Sequence, residues 1–424
     1  MGRASDIVAP AAAQAALTID LQALADNWKF LALKAGGAEC AAVVKADAYG
    51  IGIEPAVRAL LQAGCKTFFV AHASEGAQVR AALGARAGFR IYVLNGLLPG
   101  DDVSRQYIDH GLRPVVGSLS ELQSWIERAI LHHARIPCAL HIDTGMNRLG
   151  LSPHDIDSVA ARVLPTHIAV DEPWEPVLAP LAVGTFPAAG KVMAVRKRQP
   201  YTPAPTGQGG VYIDLVMSHF ISSEEPDSPL NWRQISDFKK AREKFPGVAA
   251  SICNSSGIFL PQKPFLDLVR PGYALYGGNP TPGAPNPMRA VISLQAPIIQ
   301  LREIEAGQCV GYNGQWTAKR PTRLATIGVG YADGVPRALM ATDTRPGGEA
   351  MVLGRRCPFA GRVSMDLIVI DVTDVADPAL APGTLAELLG ESIGVDDMGA
   401  RAGTIGYEVL TSLGRRYRRR YIGG

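Results

Sequence analysis

From about residue 40 the chain alternates short apolar runs with amphipathic stretches. The runs are CAAVVK (40–45), KTFFVA (66–71), RIYVLNG (90–96), RPVVGS (113–118), CALHID (138–143), IDLVMSHF (213–220), AASICNSS (249–256) and LDLVRPG (266–272). Between most of them lie stretches of helical period: EPAVRALLQAG, SEGAQVRAALG, SELQSWIERAILHHA, SPHDIDSVAARVL and NWRQISDFKKAREKF. Apolar runs separated by helices predict parallel strands in an α/β fold. Eight such units predict a (β/α)8 TIM-type barrel, which takes about 250 residues. A doubly wound open sheet is the alternative that counting leaves standing.

After the glycine- and proline-rich stretch YGGNPTPGAPNP (276–287) the pattern changes. AVISLQAPIIQL, TRLATIGVG, MVLGR and RVSMDLIVIDVTD read as strands without interleaved helices, and a polar, turn-rich stretch follows them. This predicts a barrel over 15–285 and a mainly β C-terminal domain over 286–424. Residues 165–211 fit neither pattern: they hold eight of the 31 prolines and sustain no period. They read as an insertion between a barrel helix and the next strand. The alanine-rich start, MGRASDIVAPAAAQAALTID, reads as a loose tail before the first strand, with 1–14 outside the barrel. It lacks the charged start and continuous apolar stretch of a signal peptide.

Lys+Arg 42 against Asp+Glu 39 leaves a formal charge of +3, which gives no reason to expect a nucleic-acid or anionic-membrane partner. No apolar run of 18 residues occurs, so no membrane span is expected. The six cysteines lie far apart with no C-x-x-C pair, as in a reduced, cytoplasmic protein rather than a disulfide framework or zinc site. Arginines 415, 416, 418, 419 and 420 alternate with Tyr417 and Tyr421 as in an edge strand. His132 and His133 lie on a helical stretch and read as surface. GVGYADG (328–334) has the wrong glycine spacing for a dinucleotide loop.

A barrel carries its chemistry at the C-terminal ends of its strands. Those positions hold Lys45, Asp143 with Arg148, His219, Asn254 with Ser255, and Arg270. Cationic and neutral donors around an amine suit an anionic ligand bearing a carbonyl, and no carboxylate–histidine cluster suggests a metal. Lys45 itself reads either as a Schiff-base former or as a rim salt bridge.

AVVKADAYGIG (42–52) resembles the pyridoxal-phosphate lysine motif of the alanine racemase family. HIDTGMNRLGLS (141–152), VMSHF (216–220), NSSG (254–257), VRPGYALYG (269–277), IGVGYADG (327–334), GRVSMD (361–366) and TIGYEVLTSLGRRYRRRY (404–421) resemble further motifs of that family, in the same order. The resemblance implies a homodimer with shared active sites that interconverts L- and D-alanine by a two-base mechanism, with D-alanine destined for peptidoglycan. It implies that Lys45 carries pyridoxal 5'-phosphate and acts as one catalytic base, and that Tyr312 of VGYNG is the other. Without the surrounding motifs Tyr312 would read as a β-domain core residue. Tyr49, Asn254, Ser255, Gly272, Tyr273 and Tyr407 would hold the phosphate, and Arg148 the phenolic oxygen and the substrate carboxylate. His219 would pack on the cofactor ring and link to Arg270. Arg270 would face the pyridine nitrogen and, being always charged, could give it no proton, which favours racemisation over transamination. Tyr331, Met365 and Asp366 would lie on the substrate side.

The position of His141 is commonly a carbamylated lysine in that family, whose charge supports the arginine matching Arg148. Here Asp143 or a bound anion would take over that role, or Arg148 would be held differently. The alternatives are a racemase of broader specificity and a non-catalytic pyridoxal-phosphate carrier on the same barrel. The carrier would leave Tyr312 and Met365 unexplained.

Overall fold

The computed structural model describes residues 15–84, 86–98, 101–162 and 210–424. Parallel strands follow one another in chain order at Ala42–Val43, Thr67–Val70, Arg90–Val93, Leu112–Val116, Arg135–His141, Gly210–Met217 and Ala249–Ser251. A further strand, Leu268–Val269, pairs in parallel with Glu39–Cys40, which lead into the first. The Asp267 N–H donates to Ala250 O at 3.1 Å and the Arg270 N–H to Cys253 O at 2.9 Å. The last strand therefore touches both its neighbours, and the ring closes as a barrel. Each of the eight apolar runs supplies one of its strands. Residues 163–209, which contain nearly all of the expected insertion, lie outside the described residues.

The helices form where their apolar period meets this ring. Ile53–Ala63 buries Ala56, Val57 and Leu60, and stops at Gly64, whose φ of 111° favours glycine. Leu119–Leu131 begins at Ser118, whose Oγ accepts from the Glu121 N–H at 3.2 Å. Asp101–Asp109 was not expected from the sequence. Its segment is mostly polar, and its anchor is the buried Tyr107 packed edge-on against Trp125.

The C-terminal half builds a mixed sheet around the long strand Ile292–Ile304. This strand pairs antiparallel with Leu385–Leu389 and with Thr322–Ile327, and the latter pairs with Ile368–Asp371. It also pairs antiparallel with Ala16–Asp20, which corrects the reading of the chain's start. Residues 16–20 are not a loose tail: Leu17 and Ile19, two apart, are fully buried. The same strand pairs in parallel with Arg418–Ile422, the edge strand expected from the arginine–tyrosine alternation. Asp20 then accepts from the Ala23 N–H at 2.9 Å and caps the helix Leu21–Lys34. One residue thus carries the chain from the β domain into the barrel's helical layer.

Toward the N-terminal ends of the barrel strands, charges are paired. Arg90 meets Glu39 and donates to Thr67 Oγ1 at 3.0 Å. Arg113 meets Asp214, whose Oδ2 also accepts from the Tyr92 hydroxyl at 3.0 Å. The Arg113 and Asp214 side chains are 14% and 13% exposed, so each charge depends on the other. Arg113→Met is expected to destabilise the protein by about 3–5 kcal/mol by stranding a buried carboxylate. The double change with Asp214→Leu should recover most of that loss. Urea midpoints at one fixed protein concentration measure both, and equal losses in the two variants would contradict the account.

Candidate active site

At the C-terminal ends of the strands the barrel opens into a cavity of about 680 Å3. Lys45, Tyr49, Arg148, His219, Asn254, Ser255, Arg270, Gly272 and Tyr273 line it from the barrel, and Tyr407 enters from the β domain on the helix Gly406–Thr411. Every residue that the sequence nominated for the cofactor is therefore on this wall. Tyr312, Tyr331, Met365 and Asp366 are not. Tyr312 is 70% exposed, which excludes a core role within the chain, and Met365 is 54% exposed. The Tyr331 and Ala332 N–H groups donate to Ser364 O and Met365 O, both at 3.0 Å, so these two loops share one surface. Asp366 is engaged by Arg416 at 2.8 Å.

Lys45 opens a turn of unusual hand. Ala46, Asp47, Ala48 and Tyr49 all have φ near +54°, the left-handed region. Each such L-residue costs roughly 1–2 kcal/mol, so the turn persists only where its surroundings over-determine it. It closes its own bonds, Ala48 N–H to Val44 O and Gly50 N–H to Ala46 O, each 2.9 Å. Glu75 Oε1 accepts from the Ala46 N–H at 2.6 Å, while its Oε2 accepts from Ala71 and His72. Asp47 Oδ1 accepts from the Ile53 N–H at 2.9 Å. Burial and the nearby Arg148 guanidinium lower the Lys45 pKa from its ordinary value, against a smaller upward pull from Glu75. No ion pair holds Lys45 among the described residues, which disfavours a rim salt bridge.

The floor of the cavity is cationic. Arg270 is 4% exposed, and its guanidinium donates to Ser251 Oγ and, at 2.6 Å, to Ser218 O. Among the described residues it meets no carboxylate, and burial pushes its pKa down to about 10. Among the described residues no hydrogen bond joins Arg270 to His219, and the guanidinium donates to Ser218 O and Ser251 Oγ. Burial, then Arg270, pushes His219 down to about 3 and His141 to about 4, so both imidazoles are neutral at pH 7. Asp143 does not support Arg148. Its carboxylate accepts from the Gly145 N–H at 2.9 Å and the Asn147 N–H at 3.1 Å within its own loop.

Hydroxyls and backbone N–H groups gather at the other end. Ser255 Oγ accepts from the Gly272 and Ala274 N–H groups at 3.0 and 3.2 Å. A Cβ on Gly272 would sit 2.5 Å from the Tyr49 hydroxyl oxygen, so only glycine keeps this corner open. Asn254 Oδ1 accepts from Ser223 Oγ and the Gly257 N–H, both at 2.9 Å. Tyr273 and Tyr407 stack with ring centroids 3.8 Å apart. Their hydroxyls donate to Asp396 at 2.6 Å and Glu224 at 3.3 Å.

Sequence reasoning missed Glu224, on a distant loop, and Asp396, in the first turn of the helix Val395–Ala402, neither of which carries a local signal. It also missed Asn95 and Glu408 on the wall. Asn95 closes the run RIYVLNG, so the strand-end rule could have found it. No group of three or more His, Cys, Asp or Glu side chains is placed to hold a metal among the described residues.

The donor set fits one kind of ligand: an anionic head against hydroxyls and backbone N–H groups, an acceptor atom for the buried Arg270, and an electrophilic carbonyl for Lys45. Pyridoxal phosphate has all three. A barrel with a lysine at its mouth and a β domain closing over it defines the class. Residues 19–171 and 202–280 match the N-terminal domain model of alanine racemase, and 291–421 the C-terminal domain model. The chain is 47% identical to the alanine racemase of Methylobacterium sp. (strain 4-46), covering 96% of this chain and 98% of that one. It is 46% identical to that of Acidiphilium cryptum, over 95% and 97% of the two chains. Its structure resembles the Bartonella henselae alanine racemase solved with covalently bound pyridoxal phosphate, with a TM-score of 0.79 and 33% identity over 97% and 100% of the chains. The chain belongs to the alanine racemase family.

The depressed histidines set a pH dependence. His141, 8% exposed, is neutral when folded, whereas the unfolded chain protonates it below its ordinary 6.5. Its contribution to stability is therefore present above about pH 6.5 and lost as pH falls toward about 4. His141→Gln should flatten the loss of stability between about pH 6.5 and 5 by on the order of 1 kcal/mol per pH unit. Denaturant midpoints across that range measure it, and an unchanged slope would show that His141 is charged in the folded protein.

Proposed function

We propose that this protein is a pyridoxal-phosphate-dependent racemase that interconverts L- and D-alanine. The observation that carries the reading is the convergence of Lys45, Arg270, His219, Tyr49, Ser255 and Tyr407, from both halves of the chain, on one cavity. Family membership and the bound cofactor of the Bartonella henselae relative support the same conclusion. We assign 15–285 to the barrel unit, apart from the strand Ala16–Asp20, and 286–424 to the β domain.

When bound, pyridoxal phosphate supplies an electron sink that acidifies the α-carbon of the amino acid attached to it. Lys45, its amine already poised by burial, would hold the cofactor and would take or return the proton at Cα on one face. Arg270 would face the ring nitrogen and, as a permanent cation, could give it no proton, which would limit side reactions. Tyr49, Ser255, Tyr407 and the Gly272 corner hold the phosphate, with Asn254 and Tyr273 behind them. Arg148, at the cavity mouth, receives the substrate carboxylate.

Racemisation needs a second base on the opposite face, since one base alone returns the proton where it came from. Tyr312 serves that role from a second copy of the chain, with Tyr331, Met365 and Asp366 on the substrate side. The exposure of Tyr312 and Met365, and their absence from the wall of the chain's own cavity, support a homodimer with shared sites. All six cysteines are free thiols, which supports a cytoplasmic enzyme, and its D-alanine would serve peptidoglycan. No helix among the described residues is long and apolar enough to cross a membrane.

Loaded with pyridoxal phosphate, the purified chain should form D-alanine from L-alanine, and borohydride reduction should fix the cofactor to Lys45. Peptide mapping that finds the label on Lys66 or Lys240 would reject the assignment. Mixing Lys45→Ala chains with Tyr312→Phe chains after dissociation tests the shared site. With random pairing, half the dimers are mixed and each keeps one intact site, so activity should return to about a quarter of wild type. No recovery, with exchange of chains verified separately, would place both bases in one chain.

A further inference from the structure

The arginine–tyrosine run at the chain's end has no part in the function described so far. In the strand Arg418–Ile422, Arg418 and Arg420 are exposed, whereas Arg419 and Tyr421 reach back to the barrel. Arg419 Nη1 donates to Gly50 O at 2.7 Å, and its Nη2 donates to Gly414 O at 3.2 Å. The Tyr421 hydroxyl donates to Ile51 O at 2.8 Å. Gly50 and Ile51 directly follow the left-handed turn that begins at Lys45.

These contacts answer a need created by the sequence. Ile51 precedes Gly52, the N-cap of the helix Ile53–Ala63, so its carbonyl lies outside that helix's hydrogen-bond ladder. The Tyr421 hydroxyl supplies the missing donor. Packing is close at the same place. A Cβ on Gly52 would sit 2.8 Å from the Tyr421 hydroxyl, and one on Gly50 would collide with Leu410 O of the helix that carries Tyr407. Glu75 fixes the front of the turn from within the barrel, and its back is fixed from the other domain.

We propose that Arg419 and Tyr421 are positioning residues that hold the Gly50 and Ile51 carbonyls and so lock the turn that aims Lys45. The inference rests on the reading of Lys45 as the cofactor lysine. The C-terminal strand is itself held by Ala16–Asp20, so the two ends of the described chain jointly set the lysine's direction. Neither side chain touches the cavity.

The test is hydrogen–deuterium exchange on the cofactor-loaded full chain, comparing wild type, Arg419→Met, Tyr421→Phe and the outward-facing control Arg420→Met. Amides within 46–52 should exchange about tenfold faster in the first two variants, with Ala73–Leu83 unchanged. Their kcat should fall with little change in KM for alanine, and the control should match wild type. Tyr421→Phe removes a single hydroxyl, so it decides the question even where Arg419→Met fails to fold. Unchanged exchange at 46–52, or a rise spread evenly over the barrel, would overturn the proposal. Mapping the borohydride label in the same variants separates the two failures. Label on Lys45 with unchanged exchange overturns the clamp alone, and label on another lysine overturns the assignment beneath it.

Discussion

The constraint on which the site depends is the left-handed turn after Lys45. Ala46, Asp47, Ala48 and Tyr49 hold positive φ in succession, at a combined cost of roughly 4–8 kcal/mol. Asp47 is of a residue type that enters this region more readily, and the turn exits through Gly50, where positive φ is free. The remainder is offset by fixed partners: the Glu75 carboxylate at the front, Asp47 across the turn, and the last strand behind. A right-handed exit would send the chain elsewhere. The lysine's direction is thus a property of both domains and not of its own strand.

The two mouths of the barrel use charge in opposite ways. Toward the N-terminal ends, arginines meet carboxylates, Arg90 with Glu39 and Arg113 with Asp214, and the field is largely cancelled. At the C-terminal ends, Arg270 is buried against neutral oxygens only, and Lys45 and Arg148 stand nearby. Burial first, and this unbalanced cationic field second, keep His141 and His219 neutral and hold the Lys45 pKa below its ordinary value. The field also makes an anionic ligand the natural complement of the cavity. Neutral imidazoles beside a permanent guanidinium leave the amine of Lys45 as the proton-exchanging group on that wall.

His141 lies on the cavity wall close enough to Arg148 to feel its charge. A neutral imidazole there gives Arg148 no anionic neighbour, and the Asp143 carboxylate is occupied by the Gly145 and Asn147 amides. Arg148 therefore sits at the mouth without a carboxylate partner among the described residues. An arginine in that state is available to a carboxylate that arrives with the substrate.

The alternation of eight apolar runs with helices was enough to specify parallel strands in an α/β fold, because a strand buried on both faces leaves an uninterrupted apolar signature, but it left barrel and open sheet both standing. The ordered motifs from AVVKADAYG to TIGYEVL were enough to nominate the cavity wall, since each string keeps side chain and backbone chemistry together. Tertiary structure alone decided what those strings meet. The burial of Leu17 and Ile19, the donation of Arg419 to Gly50 and the contacts of Glu224 and Asp396 with stacked tyrosines join residues far apart in the chain, the closest pair being 123 positions apart. No local period encodes such pairs. The hand of the turn at Lys45 was also invisible, because alanine prefers the opposite hand and adopts this one only when distant partners hold it there.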